Sequence, residues 1–120
     1  MSKILVIDDE ELVRTLLRTI LEMDGHTVVE AEDGRAGIAM YREQRPDLVI
    51  TDILLPELNG LETIMELTRE FLNVKVIAIS GLQGEPELFA RARLLGARRT
   101  FQKPFNSQEL LQAVRYELDH

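Results

Sequence analysis

The chain contains no cysteine, so neither a disulfide framework nor a thiolate metal site is open to it. It also lacks any apolar run near the ~20 residues that a membrane helix needs; its longest apolar stretches are of strand length. Its opening, MSKILVIDD, has neither the extended apolar stretch nor the small-residue cleavage site of a signal peptide. These absences lead us to expect a cytoplasmic protein without a membrane segment. There are two histidines, His26 and His120, and neither stands in a pattern that suggests a metal site or a catalytic base. Excess positive charge is missing as well. A net charge of −7 argues against non-specific binding of nucleic acid.

What is present is ordinary for a globular protein: 120 residues, 45% apolar and 29% charged. That length favours one compact core, and no repeat, linker or low-complexity segment divides residues 1–120. The charge is unevenly spread. Residues 1–60 carry 6 basic and 13 acidic side chains, whereas residues 61–120 carry 8 of each. All the surplus acid therefore lies in the first half, and Arg91, Arg93, Arg98 and Arg99 cluster late. The arginines read either as a basic patch separate from an acidic site or as a solvated helix face.

Hydrophobic periodicity alternates strands with helices. Residues 3–7 read as a first strand. Leu12, Leu16 and Ile20, with Val13, Leu17 and Leu21, then form helical stripes, with Asp9 placed to cap the helix and Gly25 to end it. Residues 27–31 are a second strand. A second helix starts at Asp33 and Gly34, runs to about residue 43 and is closed by Pro46. Residues 47–51 (DLVIT) make a third strand, with Asp52 at its end. A third helix spans about 61–71, with Asn59 and Glu62 at capping-box spacing. A fourth strand (74–79) and helix (85–95, ended by Gly96) follow. Then come a brief fifth strand (100–102) and a last helix (107–118), where Asn106 and Glu109 repeat the capping spacing.

Strands one, three and four are apolar nearly throughout, as expected of parallel strands buried on both faces. The expected fold is α/β: a doubly wound (βα)5 three-layer sandwich around a five-stranded parallel sheet, of flavodoxin-like type. In such sheets the ligand site lies at the carboxyl ends of the strands. There the chain delivers Asp8 and Asp9, then Asp52, then Ser80, then Lys103 followed by Pro104. Three carboxylates with oxygen-only character suit a hard divalent cation, Mg²⁺ above all. An ionised aspartate can attack phosphorus and form an aspartyl phosphate. An ammonium and a hydroxyl can neutralise and bind the phosphoryl oxygens. Glu10 and Glu11 read as first-turn acids favoured by the helix dipole, with no chemistry of their own.

The pieces VIDDEE, VITDILLPELNG, VIAISG and QKPF, in that order and at those strand ends, resemble the receiver domains of two-component response regulators over essentially the whole chain. The resemblance implies that Asp52 is the phosphoacceptor and that Asp8, Asp9, Asp52 and the backbone carbonyl of Leu54 hold Mg²⁺. It implies that Ser80 is the switch hydroxyl, that Lys103 pairs with the phosphate, and that the Lys103–Pro104 bond is cis. It also implies a histidine kinase or phosphotransfer protein as donor. The output partner, of unknown identity, would meet the face formed by the fourth helix, fifth strand and fifth helix, and the chain would be a monomer or a weak dimer through that face. Such a domain is a signalling module that assists its own phosphorylation, rather than an enzyme.

Three departures from the family's pattern matter. Thr100 stands where an aromatic usually swings inward, and Phe101, one step on, faces the other side of the sheet. Leu54 and Leu82 border the expected path of the hydrolytic water and offer it no hydrogen bond, which predicts slow self-dephosphorylation. Leu55 and Leu58 replace the common methionine at little expected cost. Pro56 and Gly60 are expected to shape the loop after the acceptor. The alternatives weighed are a flavodoxin-like FMN carrier and a haloacid-dehalogenase-like phosphatase. IDDEE would repel a flavin phosphate, and DDEE does not fit the phosphatase pattern D-x-D-x-[TV].

Overall fold

The computed structural model describes residues 2–54, 59–81 and 86–120. Five strands alternate with five helices: β1 (Lys3–Ile7), α1 (Glu11–Met23), β2 (Thr27–Ala31), α2 (Gly34–Gln44), β3 (Leu48–Asp52), α3 (Gly60–Glu70), β4 (Val76–Ser80), α4 (Pro86–Leu95), β5 (Arg99–Gln102) and α5 (Ser107–Asp119). The strands form one parallel sheet in the order β2-β1-β3-β4-β5. The order reverses direction between β1 and β3, so a crevice opens between their carboxyl ends.

Period-two alternation sends successive strand residues to opposite faces. Leu5, Ile7, Val49, Val76 and Ala78 meet Ile38, Ile64, Leu67 and Ala92 of α2, α3 and α4. Ile4, Val6, Leu48, Ile50, Ile77 and Ile79 meet Leu17 and Leu21 of α1 and Leu110, Ala113 and Val114 of α5. Each fully buried Leu or Ile contributes roughly 1.5–3 kcal/mol. This is the expected three-layer sandwich.

The local signals work unevenly. Asn59 accepts from the Glu62 amide at 3.0 Å while its own amide donates to the Glu62 carboxylate at 2.8 Å. Asn106 Oδ1 accepts from the Glu109 amide at 3.0 Å, and Asp33 Oδ1 from the Ala36 amide at 2.8 Å. Gly25 (φ +92°) and Gly96 (φ +126°) follow α1 and α4 in the left-handed region that favours glycine. The cap of α1 differs from expectation. Glu10, not Asp9, is the N-cap residue, and it makes no side-chain cap bond. Asp8 binds the Glu10 amide instead, at 2.9 Å, which moves the helix start one residue on. Only one of the two apolar stripes on α1 reaches the core: Leu17 and Leu21 are buried, whereas Leu12 is 84% exposed. The late arginines are not merely solvated. Arg93 donates to the Thr100 hydroxyl at 3.0 Å, and Arg98 and Arg99 both pair with the buried carboxylate of Glu117. Leu55, Pro56, Leu58, Leu82 and Glu85 lie outside the described residues.

Candidate functional site

Strand register brings the polar ends together. Ile7 pairs with Thr51, so Asp8 follows β1 beside Asp52, the last residue of β3. On the other flank Ser80 pairs with Gln102, and the amide of Lys103 donates to the Ser80 carbonyl at 2.8 Å. The Lys103–Pro104 peptide is cis, as the resemblance implies. Asp8, Asp52 and Ser80 are all buried.

Lys103 stands at the centre of this arrangement. Its Nζ donates to Asp52 Oδ2 at 2.9 Å, to Asp8 Oδ2 at 3.0 Å and to Glu10 Oε1 at 3.3 Å. Burial opposes the Lys103 charge, but the hydrogen bonds to Asp52 and Asp8 outweigh it and hold the ammonium above its ordinary pKa. Burial also pushes the Asp8 carboxyl up, and repulsion from Asp52 adds to it. The Glu10 amide and Lys103 pull the other way without cancelling the rise. The crowding of acids at the end of β1 is therefore met by an internal cation.

Asp52 is further fixed on its other oxygen, where Oδ1 accepts from the Leu54 amide at 3.0 Å. Behind it, Gly60 closes the return of the loop: its amide donates to the Ile53 carbonyl at 2.7 Å. A Cβ at position 60 would stand 2.1 Å from the Asp52 carbonyl oxygen and 2.5 Å from Ile53 Cα. Only glycine lets the two backbones approach this closely.

The sequence expectation treats Glu10 as a helix-dipole acid, and the structure corrects this by bringing its carboxylate to Lys103. Its place directly after the acidic pair is the one signal in the sequence that bears on it. One oxygen each from Asp8, Asp9, Glu10 and Asp52 lies within 4.8 Å of all the others. Opposite ligands of an octahedral Mg²⁺ are about 4.2 Å apart, so this oxygen-only set suits a hard divalent cation with small adjustments. The cluster opens into a pocket of about 260 Å³ lined by Asp9, Glu10, Asp52, Leu54, Gly81 and Lys103. Neither histidine lines it; His26 lies near Asp24 and His120 stacks on Tyr116.

The chain resembles known proteins over nearly its whole length. Residues 4–115 match the response regulator receiver domain. The chain is 33% identical to the chemotaxis protein CheY of Thermotoga maritima over 114 residues, covering 94% of each. It is 34% identical to the alkaline phosphatase synthesis transcriptional regulatory protein PhoP of Bacillus subtilis, covering 95% of this chain but 47% of that protein. A response regulator receiver domain protein from Clostridium thermocellum superposes with a TM-score of 0.93 at 30% identity, over 99% of this chain and 95% of that one. These matches do not favour a flavin carrier or a dehalogenase-type phosphatase. Among the described residues no helix is long and apolar enough to cross a membrane. The chain belongs to the response regulator receiver domain family and is a signalling module of the two-component type.

Proposed function

We propose that Asp52 accepts a phosphoryl group from the phosphohistidine of a histidine kinase or phosphotransfer protein, with Mg²⁺ required. The observation that carries this reading is the placing of the Lys103 ammonium 2.9 Å from Asp52 Oδ2, inside a ring of carboxylates at the strand ends. An Asp52 oxygen forms the new bond to phosphorus as the N–P bond of the donor breaks, and that electron pair leaves on the imidazole nitrogen. Lys103 needs only to turn from its carboxylate partners to pair with a phosphoryl oxygen. Ser80, at the end of β4, donates its hydroxyl to another. Held by Asp8, Asp9, Asp52 and the Leu54 carbonyl, Mg²⁺ would neutralise charge on the transferring oxygens. The Leu54 amide steadies the acceptor carboxylate, and the open pocket admits a donor group carried on another protein.

The output reading concerns α4, β5 and α5. Thr100 is bound to Arg93, and Phe101 packs on the opposite face with α1 and α5. No aromatic is available at the usual switch position, so the signal passes through the polar pairs Arg93–Thr100 and Arg98/Arg99–Glu117 to a partner on this face. A cytoplasmic monomer, or a weak dimer through the same surface, fits this role. The test is exposure to acetyl phosphate with Mg²⁺, followed by mass measurement of the native chain and of Asp52→Ala. One added phosphoryl group on the native chain alone is expected. Equal labelling of the variant would overturn the assignment.

A further inference from the structure

Strand β2 is the one strand whose end presents no group to the site, yet it grips the acidic turn from two sides. The Asp8 amide donates to the Ala31 carbonyl at 3.1 Å. The Asp8 carbonyl accepts from an Arg14 terminal nitrogen at 2.6 Å. Arg14 is itself held by Glu30 of β2, whose Oε1 accepts from its Nε at 3.0 Å. The second Glu30 oxygen accepts from Arg18 at 2.6 Å. Arg14 is the inner of the two arginines, its side chain 14% exposed against 38% for Arg18.

The Asp8 carbonyl belongs to the peptide plane that leads into Asp9. Rotation of that plane would turn the Asp9 carboxylate relative to Asp8 and Asp52. The Asp8 side chain already restrains the next amide, that of Glu10. The remaining freedom sits in the carbonyl that Arg14 holds. We propose that Arg14 is a positioning residue for the cation site: it locks the peptide between Asp8 and Asp9 so that both carboxylates face Asp52, and Glu30 orients it. The inference rests on the reading of Asp8 and Asp9 as Mg²⁺ ligands. An arginine suits the task because its planar fork holds two acceptors in fixed directions, whereas the freely rotating ammonium of a lysine fixes no direction. Partners behind a ligand typically change metal affinity by roughly 10–100-fold.

Magnesium chloride titrated calorimetrically into the full chain tests this. Arg14→Ala is expected to raise the Mg²⁺ Kd about tenfold, and acetyl phosphate labelling of Asp52 should recover at saturating Mg²⁺. Arg14→Lys keeps the charge and stem, and is expected to raise Kd by a smaller factor. Should circular dichroism find Arg14→Ala unfolded, Arg14→Lys decides. Arg18→Ala removes an ion pair to the same Glu30 without touching Asp8 and is expected to leave Kd unchanged. Folded Arg14 variants with wild-type Kd overturn the inference, as does an Arg18→Ala variant weakened as much as Arg14→Ala. A native chain that binds no Mg²⁺ overturns the metal reading together with this one.

Discussion

Gly60 offers the sharpest test of how the acceptor is held. A methyl group there meets backbone rather than a yielding side chain: the Asp52 carbonyl oxygen at 2.1 Å, Ile53 Cα at 2.5 Å and the Ile53 carbonyl oxygen at 2.7 Å. Gly60→Ala must therefore push the start of α3 away from the end of β3 and stretch the 2.7 Å bond from the Gly60 amide to Ile53. Overpacking of this kind costs roughly 1–3 kcal/mol, and a backbone obstacle puts it at the upper end. Against that, alanine lowers the entropy of the unfolded chain by about 0.4–1 kcal/mol. The net expectation is a loss of about 2 kcal/mol, which for a domain of this size lowers Tm by roughly 8 °C. Gly37→Ala is the matched control. Its Cβ would meet Ile7 Cδ1 at 2.3 Å and Cγ1 at 2.8 Å, atoms of a buried side chain that can rotate rather than of the backbone, and a helix interior gains up to about 1 kcal/mol from alanine. Urea unfolding of both variants, with acetyl phosphate labelling of each, gives the comparison. Gly60→Ala as stable as the native chain, or less damaging than Gly37→Ala, would refute the close-approach argument.

Three other outcomes follow from the same geometry. Asp8 has its folded pKa raised above its unfolded value, so its contribution is fully present below about pH 4 and is lost as pH rises through the folded value. Asp8→Asn should therefore raise Tm at neutral pH without Mg²⁺ and remove any stabilisation by the ion; a lowered metal-free Tm would count against it. Asp24, hydrogen-bonded by Arg115, has the opposite shift, with stability present above about pH 4 and lost as pH falls. The difference in Tm between the native chain and Arg115→Ala should shrink in acid, and a constant difference from pH 7 to pH 2 would exclude this linkage. Leu54→Asn gives the hydrolytic water a partner at the pocket rim, so loss of phosphate from Asp52 should quicken; decay at the native rate would count against the expected route.

The layers and the alternation of strands with helices were legible because β1, β3 and β4 are short apolar runs with a polar residue at their ends, and α2, α3 and α5 follow Asp33, Asn59 and Asn106, each capping an amide three residues on. Asn59 and Asn106 needed nothing beyond their own neighbours. Phe101 was placed on the far face by alternation alone, and that is where it packs. The cap of α1 was not legible, because Asp8 competes for the Glu10 amide from inside the site. Glu10 meets Lys103 across 93 positions of sequence, a contact that no local period encodes. Arg14 reaches Asp8 only through the placement of β2, which brings Glu30 against α1.

The two strands at the rims of the sheet bear on solubility. An open sheet presents unpaired amides and carbonyls along its outer strands, a template on which another chain can assemble. Here the outer strands are β2 and β5, five and four residues long. Each is flanked by charge: Glu30 with Arg14 and Arg18 on one side, Arg98 and Arg99 with Glu117 on the other. A strand arriving at either rim would have to displace ion pairs to register with so short a partner. The contacts that orient the acidic turn thus also guard one edge of the sheet against aggregation.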